Sequence, residues 1–267
     1  LACVLPASAY FFGTLGALGA WALVTAMSAC WAVRHVFSNR HLLPAPDPAL
    51  LWRETRRFSA MSVPIVLGAL VMAPVNWIAL SLLAKSPSGI VEVGHFSAAY
   101  QWYVGLTFVP SVIANACLPL LSRLCSAGDG QGFSALVRDG VTANALMACA
   151  SSALIWVSAD VIMKMYGPEY VQSASLLRWL AVASAANGLN VAIGQAMTAS
   201  NRLWTGVFVN LAWCAVFLGW VAATVSHAGA QALAQALVVA YTVHTLIHLA
   251  LLRGHLRRAH AHGGPEK

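Results

Sequence analysis

An all-α integral membrane protein of about seven transmembrane helices is the fold class this sequence predicts, and three observations predict it. Of 267 residues, 60% are hydrophobic and only 9% are charged, against about 25% charged in a typical soluble domain. Mean hydropathy is +0.73, and the shortage of charge runs the whole length of the chain. Uncharged runs recur at membrane length: 27 residues from Phe58 to Ala84, 27 from Phe96 to Ser122, and 50 from Leu203 to Leu252. About 20 residues of helix cross a hydrocarbon core. The first two runs are therefore single spans, and the third folds back once.

Taken in order, the first span lies within Leu1–Val33, centred on Phe12–Trp31, with Trp21 and Trp31 as amphipathic markers. A basic stretch over 34–57 follows, holding Pro44, Pro46 and Pro48 and ending in a collar of Arg53, Glu54, Arg56 and Arg57. The second span carries Pro64, Pro74 and Asn76. The third opens on Tyr100-Gln101-Trp102-Tyr103 and carries Pro110, Asn115 and Pro119. Prolines and amides inside a span face protein or a water-filled cavity, because lipid cannot satisfy the backbone groups they free. These spans therefore suit a polytopic protein with a polar interior.

A polar loop over 123–139, with Gly128-Asp129-Gly130, leads to a fourth span, Gly140–Ala159. The stretch 160–172 leads to a fifth, Ser175–Ser200, with Arg178 near its entry and Asn187, Asn190 and Gln195 further in. Ser226-His227-Ala228-Gly229 is the best turn in the final run, dividing Leu203–Val225 from Ala230–Leu252. The expected organisation is a first-bundle helix over 1–33, a basic cytoplasmic linker over 34–57, a six-helix bundle over 58–252 and a cytoplasmic basic tail over 253–267. Residue 1 is Leu and no basic segment precedes the first apolar run, so no signal peptide is expected. The chain reads as the C-terminal portion of a longer protein.

Charge sets the orientation. Alternating sides place Arg34, Arg40, Arg53, Arg56, Arg57, Arg123, Arg138, Arg202, Arg253, Arg257, Arg258 and Lys267 together, 12 cations, against Lys85, Lys164 and Arg178, which is 3. By the positive-inside rule the crowded side is cytoplasmic, and the C-terminus with it. The net charge of +7 and the pI near 9.4 follow from this topology, so no nucleic-acid partner is expected. The six cysteines form no CxxC pair and fall within or beside apolar runs, which suits buried small hydrophobes rather than disulfides or zinc. His244 and His248 stand one turn apart, but two ligands without a carboxylate make an incomplete metal site. His255, His260 and His262 read as a solvated tail. Neither a metal nor another cofactor is expected.

No Ser-His-Asp arrangement, paired carboxylate or phosphate loop is present, so the chain is not read as an enzyme. The eight acidic residues all fall outside the span centres, which argues against a carboxylate proton relay in this part of the protein. Six helices behind a basic cytoplasmic linker match the second half of a two-bundle transporter.

Several runs carry a family resemblance. Phe58-Ser-Ala-Met-Ser-Val-Pro-Ile65 with Asn76-Trp77 resembles the first helix of the second bundle in bacterial polysaccharide (O-antigen type) flippases. These belong to the superfamily that includes the MATE multidrug exporters. Gly94-His-Phe-Ser-Ala-Ala-Tyr-Gln-Trp102, Phe108-Val-Pro110 and Leu118-Pro-Leu-Leu-Ser122 resemble the next helix. Tyr166-Gly-Pro-Glu-Tyr170, with Ala174 and Leu177-Arg178, resembles an extracytoplasmic loop entering a later helix. Gly194-Gln195 and Ala199-Ser-Asn-Arg202 resemble that helix's cytoplasmic end. The resemblance covers roughly residues 5–252. Family members have about 12 to 14 helices, so this chain corresponds to the last helix of a first bundle and the six of a second.

The resemblance implies flipping of an undecaprenyl-diphosphate-linked oligosaccharide across the bacterial inner membrane by rocking of two bundles. Its implied surroundings are membrane lipids and the polysaccharide polymerase machinery. Three alternatives stay open: a drug or small-metabolite exporter of the same superfamily, a membrane-embedded glycosyltransferase or polymerase, and an inactive truncated remnant. The enzyme would need a catalytic carboxylate or a large outer loop, and the outer loops here are short.

The substrate-path candidates are Asn76, Gln101, Trp102, Arg178, Asn187 and Asn190. Amides can exchange for the hydration of a sugar, or simply bond between helices, as Asn115 and Gln195 can also do. Trp102, with Trp77, Tyr100 and Tyr103, can stack on sugar faces or sit in an interfacial belt. Arg178 can meet diphosphate, or snorkel to the interface. Pro64, Pro74 and Pro110 are hinge points for rocking or static kinks.

Overall fold

The computed structural model describes residues 4–38, 47–86 and 88–262. Pro44, Pro46, Arg40, Cys3 and Lys267, each singled out above, lie outside the described residues, as do the side chains of Trp21 and of the basic tail. Among the described residues seven α-helices follow one another: α1 (Val4–Ser38), α2 (Pro48–Ala84), α3 (Gly89–Ser126), α4 (Gly130–Tyr166), α5 (Ala174–Ala199), α6 (Leu203–Ala228) and α7 (Ala230–His262). A short 3-10 helix, Pro168–Ser173, precedes α5. Six helical segments, taken from α2 to α7, are long and apolar enough to cross a membrane. The chain is thus an all-α, multi-pass membrane protein.

It divides into two compact units, residues 1–57 and 58–267. In the first, α1 sets the Trp31 ring against that of His35 one turn later, tilted by 44° with centroids 5.5 Å apart. Ser28 Oγ donates to the Val24 carbonyl at 2.7 Å.

The helices run longer than the apolar runs suggest. The collar Arg53, Arg56 and Arg57, expected in a linker, lies in the opening turns of α2. The cause is local: Asp47 accepts from the Ala49 N–H at 3.0 Å as a helix cap, and Pro48 takes the first helical position, where its missing N–H costs nothing. The expected loop over 123–139 shrinks to residues 127–129. There the Gly128 N–H donates to the Cys125 carbonyl and the Asp129 N–H to that of Leu124. This pair of bonds closes a helix end around a left-handed residue, and Gly128 sits at φ +70°. Asp129 then caps α4, accepting from the Gly132 N–H at 2.8 Å.

The same device ends α5. The Asn201 and Arg202 N–H groups donate to the carbonyls of Thr198 and Met197, and Asn201 is left-handed at φ 56°, a conformation asparagine tolerates better than most residues. Between α6 and α7 the turn falls at Gly229, as the sequence predicts, and a distant residue completes it. Glu92, in the first turn of α3, accepts from the Ala230 N–H at 2.9 Å and so caps α7.

Within residues 58–267, α5 is the central helix, packed against α3, α4 and α7, while α6 lies on α7. Small residues permit this closeness, as is usual where helices meet in a membrane. Ala181, Ala183, Ala232, Ala234, Ala236 and Ala240 are fully buried. A Cβ added at Gly188 would meet Ala148 of α4 and Pro110 of α3. From residue 58 on, α2 joins the core mainly through Val75, Ala79 and Leu83 in its second half. Its earlier turns face outward except at Pro64 and Gly68. That leaves space between α2 and the rest of the bundle.

Candidate functional site

The space beside α2 is a cavity of about 400 Å³ within residues 58–267. From α2 it is lined by Pro64, Ile65, Gly68, Ala69 and Met72. From α5 come Asn187, Asn190, Gln195 and Thr198, from the α5–α6 turn and α6 come Arg202 and Asn210, and from α7 come Tyr241, His244 and His248. Helical spacing explains the gathering. Asn187, Asn190, Gly194 and Thr198 recur every three or four residues on α5, as do Tyr241, His244 and His248 on α7, so each set shares one face.

Asn190 organises the polar wall. Its Nδ2 donates to the Thr245 Oγ1 at 3.0 Å, the Tyr241 carbonyl at 3.3 Å and the Ala186 carbonyl at 3.1 Å. These acceptors orient the amide, so its Oδ1 faces His248 Nδ1 at 3.1 Å as an acceptor. His248 therefore carries its proton on Nδ1 and keeps Nε2 as a lone-pair acceptor. The His244 ring stands 4.3 Å from that of His248, centroid to centroid. Neither nitrogen of His244 has a hydrogen-bond partner among the described residues.

A second, smaller cavity of about 250 Å³ is lined by Asn76, Ser97, Tyr100 and Gln101, with Leu80, Phe96 and Leu233. The two are linked through the interior. Tyr100 stacks on Tyr103 at 5.1 Å, Tyr103 and Tyr241 share a hydroxyl hydrogen bond of 2.9 Å, and Tyr241 lines the larger cavity. The tyrosine pair is buried, so an aromatic and polar connection runs through the core of the bundle. A third cavity of about 480 Å³ lies between α3 and α4. Its lining includes Gln101, Trp102, Met147, Ser151 and Tyr166, and Trp102 Nε1 donates to the Tyr166 hydroxyl at 3.1 Å.

The six residues singled out from sequence thus fall in separate places. Asn187 and Asn190 share the cavity beside α2, Asn76 and Gln101 share the second, and Gln101 and Trp102 share the third. Arg178 lines none of the three. It is ion-paired with Asp160 and lies over the Trp156 ring, its Cζ 5.5 Å from the centroid. Gln195 donates to the Asn115 Oδ1 at 2.8 Å, so that pair bonds α5 to α3. Tyr103, read as a belt residue or sugar platform, is buried at the centre.

Sequence reasoning missed Tyr103 and Tyr241 as a linked pair, and Thr198, Arg202 and Asn210 as lining. The three-or-four spacing of polar residues along α5 and α7 was the signal that could have found most of them. His244 and His248 are adjacent as expected, and among the described residues no group of three metal-ligating side chains forms.

Fold and site together define a multi-pass helical membrane protein with polar cavities inside the bundle. No protein-family model matches the chain, and no solved structure matches it. Over 219 residues, 76% of the chain, it is 32% identical to the EPS I polysaccharide export inner membrane protein EpsE of Ralstonia solanacearum. Over 193 residues, 66% of the chain, it is 30% identical to the protein of the same name from Ralstonia nicotianae. The matched regions cover 48% and 44% of those proteins, so the chain spans about half the length of the curated relatives it matches. The similarity is thus to proteins named for polysaccharide export at the inner membrane and not for catalysis.

Proposed function

We propose that this chain contributes to polysaccharide export across the bacterial inner membrane, as one helical bundle of a transporter that flips an undecaprenyl-diphosphate-linked oligosaccharide. The observation that carries this reading is the polar interior. Amides, tyrosines and histidines gather in cavities inside helices of membrane-spanning length, where unpaired polar groups are costly and usually mark a substrate route. The similarity to EPS I export proteins supplies the substrate class.

Sugars need groups that exchange for their hydration, which Asn76, Gln101, Asn187 and Asn190 offer. The lipid tail needs only the bilayer. In this reading the bundle works against a second one by alternating access, with the 12-cation side and the C-terminus in the cytoplasm. Nascent lipid-linked sugar passes to polymerising machinery outside.

The test is the level and leaflet of lipid-linked oligosaccharide in cells depleted of this protein. Accumulation on the cytoplasmic leaflet, reversed by resupplying the chain, is expected. Intact surface polysaccharide without accumulation would reject the reading and favour a small-molecule exporter.

A further inference from the structure

The wall of the cavity beside α2 holds hydrogen-bonding groups that the fold leaves unused. His244 is 8% exposed and is among the residues lining the cavity, and its buried ring nitrogens have no hydrogen-bond partner among the described residues. A neutral imidazole carries one donor and one acceptor. The fold could have placed Leu here at no loss of bonding. His248 beside it offers Nε2 as an acceptor, because Asn190 holds its Nδ1 proton. The amide of Asn210 adds a donor and an acceptor.

No carboxylate lines the cavity, which leaves a bound cation without a counter-charge. The single formal cation in the lining, Arg202, is engaged within the protein. An anion would want donors throughout, and this wall mixes donors with acceptors. A hydroxyl group gives one and takes one, and so matches the wall. The volume of about 400 Å³ sits at the low end of small-molecule sites, which run from roughly 300 to 1,000 Å³. One sugar ring fits within it. Opposite the polar wall, Ile65 and Met72 of α2 offer apolar contact for ring C–H groups.

We propose that this cavity is a recognition site for a single uncharged, hydroxylated ring of pyranose size, with His244 as the residue that selects for hydroxyl. The inference rests on the transport reading, of which it names the recognised part. His244 donates one hydroxyl bond and accepts another, His248 accepts at Nε2, and Asn190 holds the tautomer that makes this possible.

The test uses the purified full chain in lipid nanodiscs. Free hexoses and N-acetylhexosamines are the probes in saturation-transfer NMR, with inorganic phosphate followed by ³¹P as the anionic comparison. Saturation transfer to at least one sugar is expected, without phosphate binding. H244L weakens that binding at least about tenfold, as losing paired hydrogen bonds to a ligand does, and H244Q, which keeps a donor and an acceptor, restores most of it.

Stability supplies the readout that a structural role would fail. Because His244 has no hydrogen-bond partner among the described residues, H244L leaves the unfolding transition unchanged or raised. A lowered transition in H244L would overturn the assignment, as would phosphate binding in place of sugar. So would sugar binding unaffected by H244L, or a folded wild-type chain that binds no sugar. The two readings fail separately. Sugar binding by a chain whose loss leaves lipid-linked oligosaccharide undisturbed keeps the site and rejects the transport role, and accumulation without sugar binding does the reverse.

Discussion

Asn190 shows how one side chain can set the chemistry of several others. By donating to Thr245 and the Tyr241 carbonyl and accepting from His248, it ties α5 to α7 and fixes a histidine tautomer. Replacing it with Leu strands His248 Nδ1 inside the bundle, while Thr245 keeps its bond to the Tyr241 carbonyl. Interhelical hydrogen bonds in membranes contribute about 0.6 kcal/mol on average, with a maximum near 1.7. Asn190 makes several, so Asn190→Leu is expected to lower stability by about 1–2 kcal/mol in detergent unfolding. An unchanged transition would show that the amide is not a bundle tie.

Arg178 makes the opposite point. Its ion pair with Asp160 is partly exposed, and such surface pairs contribute about 0–1 kcal/mol. As a lone cation near a span end it was legible in sequence. Its partner lies 18 residues away on another helix, beyond what composition or spacing reveals.

At the scale of elements, close approach of α5 to its neighbours depends on glycine at one position and not at another. A Cβ at Gly188 would collide with Ala148 on α4, while one at Gly194, on the same helix, meets nothing within 4 Å. Overpacking a tight contact costs typically 1–3 kcal/mol. Gly188→Val is therefore expected to destabilise by about that much, and Gly194→Ala to hold stability or raise it slightly through helix propensity. Equal effects would mean that the α4–α5 contact is looser than drawn. The glycines look alike in sequence, because a helix built from small residues carries no mark of which face is crowded. Helix ends were far more legible. Gly128, Asp129, Asn201 and Gly229 act through their own backbone or first-turn bonds, and such signals are local. Helix lengths were underestimated for a related reason. Charge and proline end an apolar run, but Pro48 and the arginines after it are compatible with helix once the chain leaves the lipid.

At the scale of the whole molecule, the imbalance of 12 cations against 3 predicts which ends of the bundle face the cytoplasm. Cys125, exposed beside the α3–α4 turn, is a natural reporter on the crowded side. A membrane-impermeant maleimide is expected to label it in inside-out vesicles and not in intact spheroplasts, with Cys125→Ser as the control. Labelling from outside would invert the topology.

By itself the sequence determined that this is a membrane protein, that it has about seven helices, and where most of them turn. Each of those depends on quantities summed along a short stretch, namely apolar length, formal charge, and the conformational preferences of Gly, Asn, Asp and Pro. Only the tertiary structure decided which polar residues share a cavity and which merely bond. Asn190 and His248 are 58 residues apart, and Tyr103 and Tyr241 are 138 apart. A buried polar group must find its partner across the packed interior, and the rotation of each helix about its own axis chooses that partner. The few polar groups left over, His244 chief among them, are where the function is to be sought.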